Sequence, residues 1–375
     1  MAPADPSTPG DRGGFERPLA SVTPRVPPPR RASIWDVARA AGVSHQTVSR
    51  VINGNTNVRE ETRRVVMAAI AELGFRPNRA AQALAGGPVR AVTVLTADTS
   101  RFGSAMTLRG IEEEARRADY AVGISVLEPE AARTAADVVG RVTQAGNAVA
   151  VIAFDAAGAR ALRLLPPEFP VVAAVELPED GELVPGRPQV WTDDRTAAAE
   201  ATRYLLGLGH RTVHHVAIPS STSPVGQRAR GWQDALREAG RPVPDLAEGG
   251  WSPRSGYAAA QPLVADPSVT AILCGNDDLA LGVLRAAREA GREVPGSLSV
   301  VGFDDASHSG FLAPALTTVR LDFAGLGRAC FGLLRRLLEP DGDCAAAVWD
   351  RPRLIVRESS GPPPADAGSR SDTAP

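Results

Sequence analysis

Apolar positions in residues 33–53 recur with a helical period that is interrupted once. Ile34, Val37, Ala38 and Ala41 fall at i, i+3, i+4 and i+7, and beyond Gly42 the stripe restarts with Val48, Val51 and Ile52. The pattern predicts two short helices joined by a glycine turn. Ser33 and Ser44 stand where N-caps belong, because a side-chain oxygen there accepts from N–H groups that the first turn leaves unpaired. A third helix is expected from about 59 to 73, with Thr62, Val65, Val66, Ala69, Ile70 and Leu73 on one side and Gly74 ending it. Three such stripes close a small helical core. Residues 79–85 are alanine-rich and stopped by Gly86-Gly87-Pro88. Isolated helices under about 12–15 residues are marginal in water, so this piece needs a partner surface to form, and the alternative is a plain linker.

From about residue 90 the period changes. Apolar runs at 91–95, 121–126, 148–154, 213–218, 269–274 and 298–303 alternate with helical stretches, an order that implies parallel sheet covered on both faces. The stretch is long for one sheet, so two domains of similar size are expected. A ligand site then belongs at the C-terminal ends of the parallel strands. Polar residues gather there: Thr96 to Ser104, Asn276-Asp277-Asp278 and Asp304-Asp305. Each of these is also readable as a helix cap following a strand, and for Asp278 and Asp305 the cap is the preferred reading.

The second short helix leaves Ser44, His45, Gln46, Thr47, Ser49 and Arg50 free of its apolar stripe, with Asn53 just beyond. A recognition helix puts such side chains against base edges in the major groove. An ordinary solvated face of a small helical domain is the other reading of so short a pattern. Charge bears on the choice. Between residues 30 and 90 there are ten arginines (30, 31, 39, 50, 59, 63, 64, 76, 79 and 90) against Asp36, Glu60, Glu61 and Glu72, while the whole chain carries a net charge of −2. Positive charge gathered into one segment of a slightly acidic protein is the footprint of phosphate contact. All 41 basic residues are arginine, which reads as genome composition more than function.

These residues resemble the lactose repressor (LacI/GalR) family of bacterial transcription regulators. Its marks are Asp36-Val-Ala-Arg-Ala-Ala-Gly-Val-Ser44, Thr47-Val-Ser-Arg-Val-Ile-Asn53, Arg76-Pro-Asn78 and Gln82-Ala-Leu-Ala85, in order and at the family's spacing, and the likeness runs from about Ser33 to Ser359. The resemblance implies an α/β chain: an all-α helix-turn-helix domain at 33–77, a hinge helix and linker at 78–89, and a periplasmic-binding-protein-like effector domain with parallel sheets at 90–358. The latter divides into subdomains of about 90–190 plus 321–338 and 191–320 plus 339–358. It implies DNA contacts from Asn78 and Gln82 as well, and a minor-groove wedge at Leu84, whose few kcal/mol of unstacking the bent duplex offsets by wrapping more protein. Effector contacts are implied for Arg228, Trp251, Asn276, Asp304 and Phe323, with Phe102 and Ser104 beside them. Planar donors and acceptors suit vicinal hydroxyls, and an aromatic face suits the C–H surface of a sugar ring. His45-Gln46 and Gly250-Trp251-Ser252 resemble the branch containing the lactose repressor, which favours a galactoside or related sugar. Val175 and Leu321 depart from the family's polar residues at their positions and leave the particular sugar open.

The expected protein is a sequence-specific DNA-binding regulator, a homodimeric repressor on double-stranded operator DNA, whose affinity a small sugar controls through the hinge. Ligand-driven release and ligand-driven recruitment both fit. Catalysis is not expected: Cys274, Cys330 and Cys344 lack metal-ligand spacing, His214 and His215 are adjacent on a strand and face opposite ways, His210 reads as a helix-end residue, and no phosphate loop or nucleophile elbow emerges. No cofactor or metal is expected. A sugar-binding receptor without a DNA role would share the two-domain fold but needs an export signal. Residues 1–32, rich in Pro, Arg and Gly, lack the apolar core of one and read as a disordered arm. Without an apolar run of ~20 residues no membrane is expected, and with few cysteines the cytoplasm is the expected compartment. Residues 359–375 have no leucine heptads and read as a disordered tail, which argues for a dimer over a tetramer.

Overall fold

The computed structural model describes residues 32–52, 57–75, 90–128, 132–177, 181, 183–221, 225–340 and 349–365. The arm up to residue 31, Asn53, the hinge segment with Asn78, Gln82 and Leu84, Cys344 and the tail from 366 lie outside them. The chain forms two compact units, Met1–Val89 and Arg90–Pro375.

In the first unit, α1 (Ile34–Ala41), α2 (His45–Ile52) and α3 (Glu60–Glu72) pack around Val37, Val48 and Val66, all fully buried, with Ala38, Val51 and Ala69. Both serine caps form. Ser33 and Asp36 make a reciprocal capping box, and Ser44 Oγ accepts from the Thr47 N–H at 3.1 Å. Gly42 ends α1 at φ 65°, a left-handed conformation in which a side chain would be strained. Val65 and Leu73, expected on the packed side of α3, are exposed. Two eight-residue helices cover only a narrow strip of the third.

The second unit holds two sheets. The first runs in the order β2 (Ala121–Val126), β1 (Ala91–Thr96), β3 (Ala148–Ala153), β4 (Val171–Val175), β5 (Gln189–Val190), all parallel. The second runs β11 (Arg353–Ile355), β10 (Thr317–Arg320), β9 (Ser299–Asp304), β8 (Ala271–Cys274), β6 (His214–Ala217), β7 (Ala247–Glu248), parallel apart from the antiparallel β10–β11 edge. β3 and β4 are buried at every residue, as strands covered on both faces must be. Helices α4 (Phe102–Arg117), α5 (Ala132–Gln144) and α6 (Ala156–Leu164) belong to the first sheet, and α7 (Asp194–Gly207), α8 (Gln227–Glu238), α9 (Pro253–Ala265) and α10 (Asp277–Glu289) to the second.

The chain crosses between the sheets three times: after β5 into α7, after β10 into α11 (Phe323–Leu338), and after α11 back to β11. Helix α11 packs on α4 and on the first sheet with almost no separation. A Cβ at Gly110 would come within 2.0 Å of the Ala324 carbonyl oxygen, and one at Gly327 within 2.1 Å of Thr107's.

Residues 359–361, expected to belong to a disordered tail, are instead ordered against the second sheet. Ser359 Oγ accepts from the Thr317 N–H at 2.8 Å and donates to the Val300 carbonyl at 2.6 Å, and the Gly361 N–H donates to Ser299 Oγ at 3.0 Å. The segment takes up groups at the N-terminal ends of β9 and β10, two interior strands of the second sheet. His210, expected merely to end a helix, is buried between Thr270 Oγ1, Ser299 Oγ and the Gly361 carbonyl at 2.9, 3.2 and 3.0 Å, and burial lowers its pKa.

Candidate functional site

Two places bring the chemistry together, one in each unit. On α2, Ser44, Gln46 and Arg50 are exposed, and His45, Thr47 and Ser49 are half-buried. Ser44 Oγ and Thr47 Oγ1 sit 2.9 Å apart, so these two hydroxyls organise the helix start. The face opposite to Val48 and Val51 presents Gln46, Ser49 and Arg50, with the half-buried His45 at its flank. The His45 ring leans on the exposed indole of Trp35 from α1, with centroids 4.1 Å apart and planes at 33°.

In the second unit a cleft of about 990 Å³, counting its open mouth, lies between the strand ends of the two sheets. All seven residues expected at an effector site line it: Phe102, Ser104, Arg228, Trp251, Asn276, Asp304 and Phe323. Phe323, which starts α11, stands edge-on to Phe102 at 6.2 Å and tilted to Phe154 at 5.9 Å, giving one aromatic wall. Trp251, just before the Ser252 cap of α9, gives another, with the Arg101 guanidinium 4.5 Å over its ring.

Arg228 is the electrostatic centre. It is buried on α8, where its Nε donates to Asp194 at 2.9 Å, Nη1 donates to the Gly275 carbonyl, and its guanidinium lies 4.0 Å over the Phe303 ring. Burial alone would lower its pKa, but Asp194 and Asp304 outweigh that and the net direction is up. Asp304 Oδ1 lies 3.1 Å from Nη1, within ion-pair distance, yet among the described residues no donor is aligned for a hydrogen bond to that buried oxygen. Burial pushes the Asp304 carboxyl up to about 8 against the pull of Arg228. Its backbone is strained as well, with φ at 112°, a conformation that non-glycine residues seldom hold. His215, buried beneath Arg228 and tilted against Trp232, donates from Nδ1 to the Leu273 carbonyl at 2.8 Å, and burial lowers its pKa to about 4.

Three aspartates and one asparagine at the strand ends take roles that a strand–cap pattern cannot separate. Asn276 is the cap of α10, accepting from the Leu279 N–H at 2.7 Å, and its amide donates to the Trp251 carbonyl at 3.3 Å. Asp278, expected to cap, instead follows in the first turn of α10 and lines the cleft, where burial raises its pKa. Asp305, also expected to cap, pairs with Arg320 at 2.6 Å and Arg357 at 2.7 Å. Asp277 is buried and takes hydrogen bonds from Thr318, Ser309 and the Ala306 N–H at 2.6, 2.5 and 2.7 Å, which pins the loop after β9.

The sequence reading missed Asp194, Glu176 and Arg101. Glu176, directly after β4, accepts from Ser220 Oγ, the Ser221 N–H and the Gln227 N–H at 2.8, 3.0 and 2.9 Å, tying the first sheet to the start of α8. Its position at a strand end is the signal that could have found it. Asp194 opens a helix and looks like one more helix-start acid until Arg228 is placed beside it. Leu321 is buried in the core, whereas Val175 lines the cleft.

Residues 33–78 match the lacI family of bacterial regulatory proteins, and residues 202–360 match a periplasmic binding protein-like domain. Catabolite control protein A of Priestia megaterium is 31% identical over 335 residues, covering 88% of this chain and 99% of the relative. The chain belongs to the lacI family. The lactose operon repressor of Escherichia coli K12 is 32% identical to this lacI-family protein over 321 residues, 81% of this chain and 84% of the repressor. Among solved structures, the lac repressor dimer bound to operator and the anti-inducer ONPF matches with a TM-score of 0.73 at 27% identity, over 88% of this chain and 100% of that one. A complex of the regulator CelR with cellobiose matches with a TM-score of 0.64 at 25% identity, over 88% and 100%. The protein is thus a bacterial transcriptional regulator with a helix-turn-helix unit and a periplasmic-binding-like unit. Among the described residues no helix is long and apolar enough to cross a membrane, and no group of three or more His, Cys, Asp and Glu is placed to hold a metal ion.

Proposed function

We propose that this lacI-family regulator acts as a homodimeric repressor in the cytoplasm, reading operator DNA through His45, Gln46 and Arg50 of α2, and that a small neutral sugar in the cleft controls its affinity. The observation that carries the ligand class is Arg228. Its charge is met by the Asp194 carboxylate, with the Asp304 carboxyl 3.1 Å away, and Glu176, Asp277 and Asp278 add further carboxyls to the lining against one more arginine, Arg101. An anionic ligand would enter an acid-rich site whose buried guanidinium is engaged. Hydroxyls suit it better: one can donate to the Asp304 oxygen that lacks an aligned donor, while Trp251, Phe102 and Phe323 face the ring's C–H surfaces. A solved structure similar to this chain, the complex of the regulator CelR with cellobiose, supports the same class. The reading is of a binder and not of a catalyst, because Asp194 and Asp304 face Arg228, Glu176 is held by the Ser220 and Ser221 groups and Asp277 by the β9 loop, which leaves Asp278 without a paired acid or base beside it. Release of the operator is proposed to pass through the 78–89 segment, with Asn78, Gln82 and the Leu84 wedge as its DNA contacts.

A thermal-shift screen against neutral mono- and disaccharides, with sugar acids and sugar phosphates as comparators, tests this. A neutral sugar should raise the melting temperature, and Trp251→Ala should abolish the shift while duplex binding persists. Stabilisation by the anionic comparators alone would overturn the assignment of ligand class.

A further inference from the structure

Trp35 is the largest side chain on α1 and does not serve its core. It is 59% exposed, whereas Val37 and Ala38 carry the packing of that helix. What the indole does touch is His45, the first residue of α2, with ring centroids 4.1 Å apart. Around that pair, Ser44 and Thr47 are committed to each other at the helix start, and Gln46 and Arg50 project into solvent.

We propose that Trp35 is a specificity-determining positioning residue, whose indole holds the His45 imidazole in the one orientation that reads a single base pair of each operator half-site. The inference rests on the reading of α2 as the base-reading helix. A free imidazole at a helix start samples several rotamers, and ordering it on binding costs affinity without adding discrimination. Stacked on an indole, it keeps one ring face covered and offers an edge whose two nitrogens, in the neutral form, are one donor and one acceptor. Held at one place in the groove, a nitrogen of that edge completes a hydrogen bond with a base pair that offers the complementary group there and not with one that offers the opposite group. Gln46 and Arg50 have no such support and read adjacent positions independently. A plain hydrophobe or a phosphate-facing ring would act differently: its loss would weaken every duplex alike.

The test is selection from a pool of duplexes carrying a palindrome with randomised half-sites, at one fixed ionic strength, followed by sequencing. Wild type, His45→Ala, Trp35→Ala and Trp35→Tyr are compared. His45→Ala should flatten the preference at one base pair per half-site. Trp35→Ala should flatten the same base pair by about fivefold or more, within the range one good base contact supplies, and leave other positions alone; Trp35→Tyr, which keeps a ring face, should restore it. If Trp35→Ala instead lowers binding equally for all sequences, or leaves the profile intact while His45→Ala flattens it, the positioning role falls and the base-reading helix stands. If His45→Ala flattens nothing, the reading of His45 falls and the inference with it. Should Trp35→Ala lose all duplex binding through misfolding, Trp35→Leu, which keeps apolar bulk without a ring face, carries the same comparison.

Discussion

Asp304 shows how much a single residue's chemistry depends on neighbours far away in sequence. Alone it is an acid at the end of a strand. Out of water, and with Asp277 and Asp194 near it, it becomes a carboxyl that holds its proton up to about 8 against the pull of Arg228. Its folded pKa lies above the unfolded value, so the native state binds a proton that the unfolded chain has released. Its contribution to stability is fully present below the ordinary carboxylate range and is lost as pH rises toward about 8. His215 works in the opposite sense: its depressed pKa means stability that is present above about 6.5 and lost as pH falls toward about 4. Asp304→Asn should therefore be as stable as the wild type or more so at pH 8 and show a flatter dependence of melting temperature between pH 5 and 8 than the wild type. Parallel curves for the two proteins would show that Asp304 is ionised throughout.

At the scale of elements, helices meet helices and sheets where glycine lets backbones touch. The α4–α11 contact rests on Gly110 and Gly327, each within about 2 Å of a carbonyl oxygen if given a Cβ. Gly327→Ala should destabilise the second unit by roughly 1–3 kcal/mol or more, because packed backbones have nowhere to retreat. Gly140, inside α5 with nothing near its Cβ position, gives the contrast. Gly140→Ala should be neutral or stabilise by about 0.5–1 kcal/mol through helix propensity. Urea melts of both variants decide between a packing role and mere helix preference. The same logic holds in the first unit, where α1 and α2 are each only eight residues long and depend on caps and on burial of Val37, Val48 and Val66 to persist.

For the molecule as a whole, regulation means that two ligands share one protein. If a sugar in the cleft alters operator affinity, operator duplex must alter sugar affinity by the same factor, with a coupling of about 1–3 kcal/mol typical of such systems. Calorimetric titration of the sugar found in the screen, with and without duplex, should give equal factors in the two directions. Leu84→Ala should lose operator affinity while keeping sugar binding, and with it the coupling. Sugar affinity that operator leaves unchanged would show the two sites to be independent.

The helices of the first unit and the strand–helix alternation of the second were legible in local patterns: apolar spacing, serine before a helix, polar residues after a strand. The caps at Ser33 and Ser44 and the strand-end candidates 96–104, Asn276 and Asp304 are of this kind, whereas Arg228, Trp251 and Phe323 were reached through the family resemblance. Tertiary structure alone decided the rest. That Asp305 pairs with Arg320 and Arg357, that Asp194 and Glu176 belong to the cleft, that Ser359–Gly361 binds the starts of β9 and β10, and that Trp35 leans on His45 all turn on partners that lie on other elements. Local pattern sets what a segment does with its own backbone. Where a charge or a ring is used depends on what the fold brings within a few ångströms of it, and there the Coulomb and desolvation terms are settled by distance and burial.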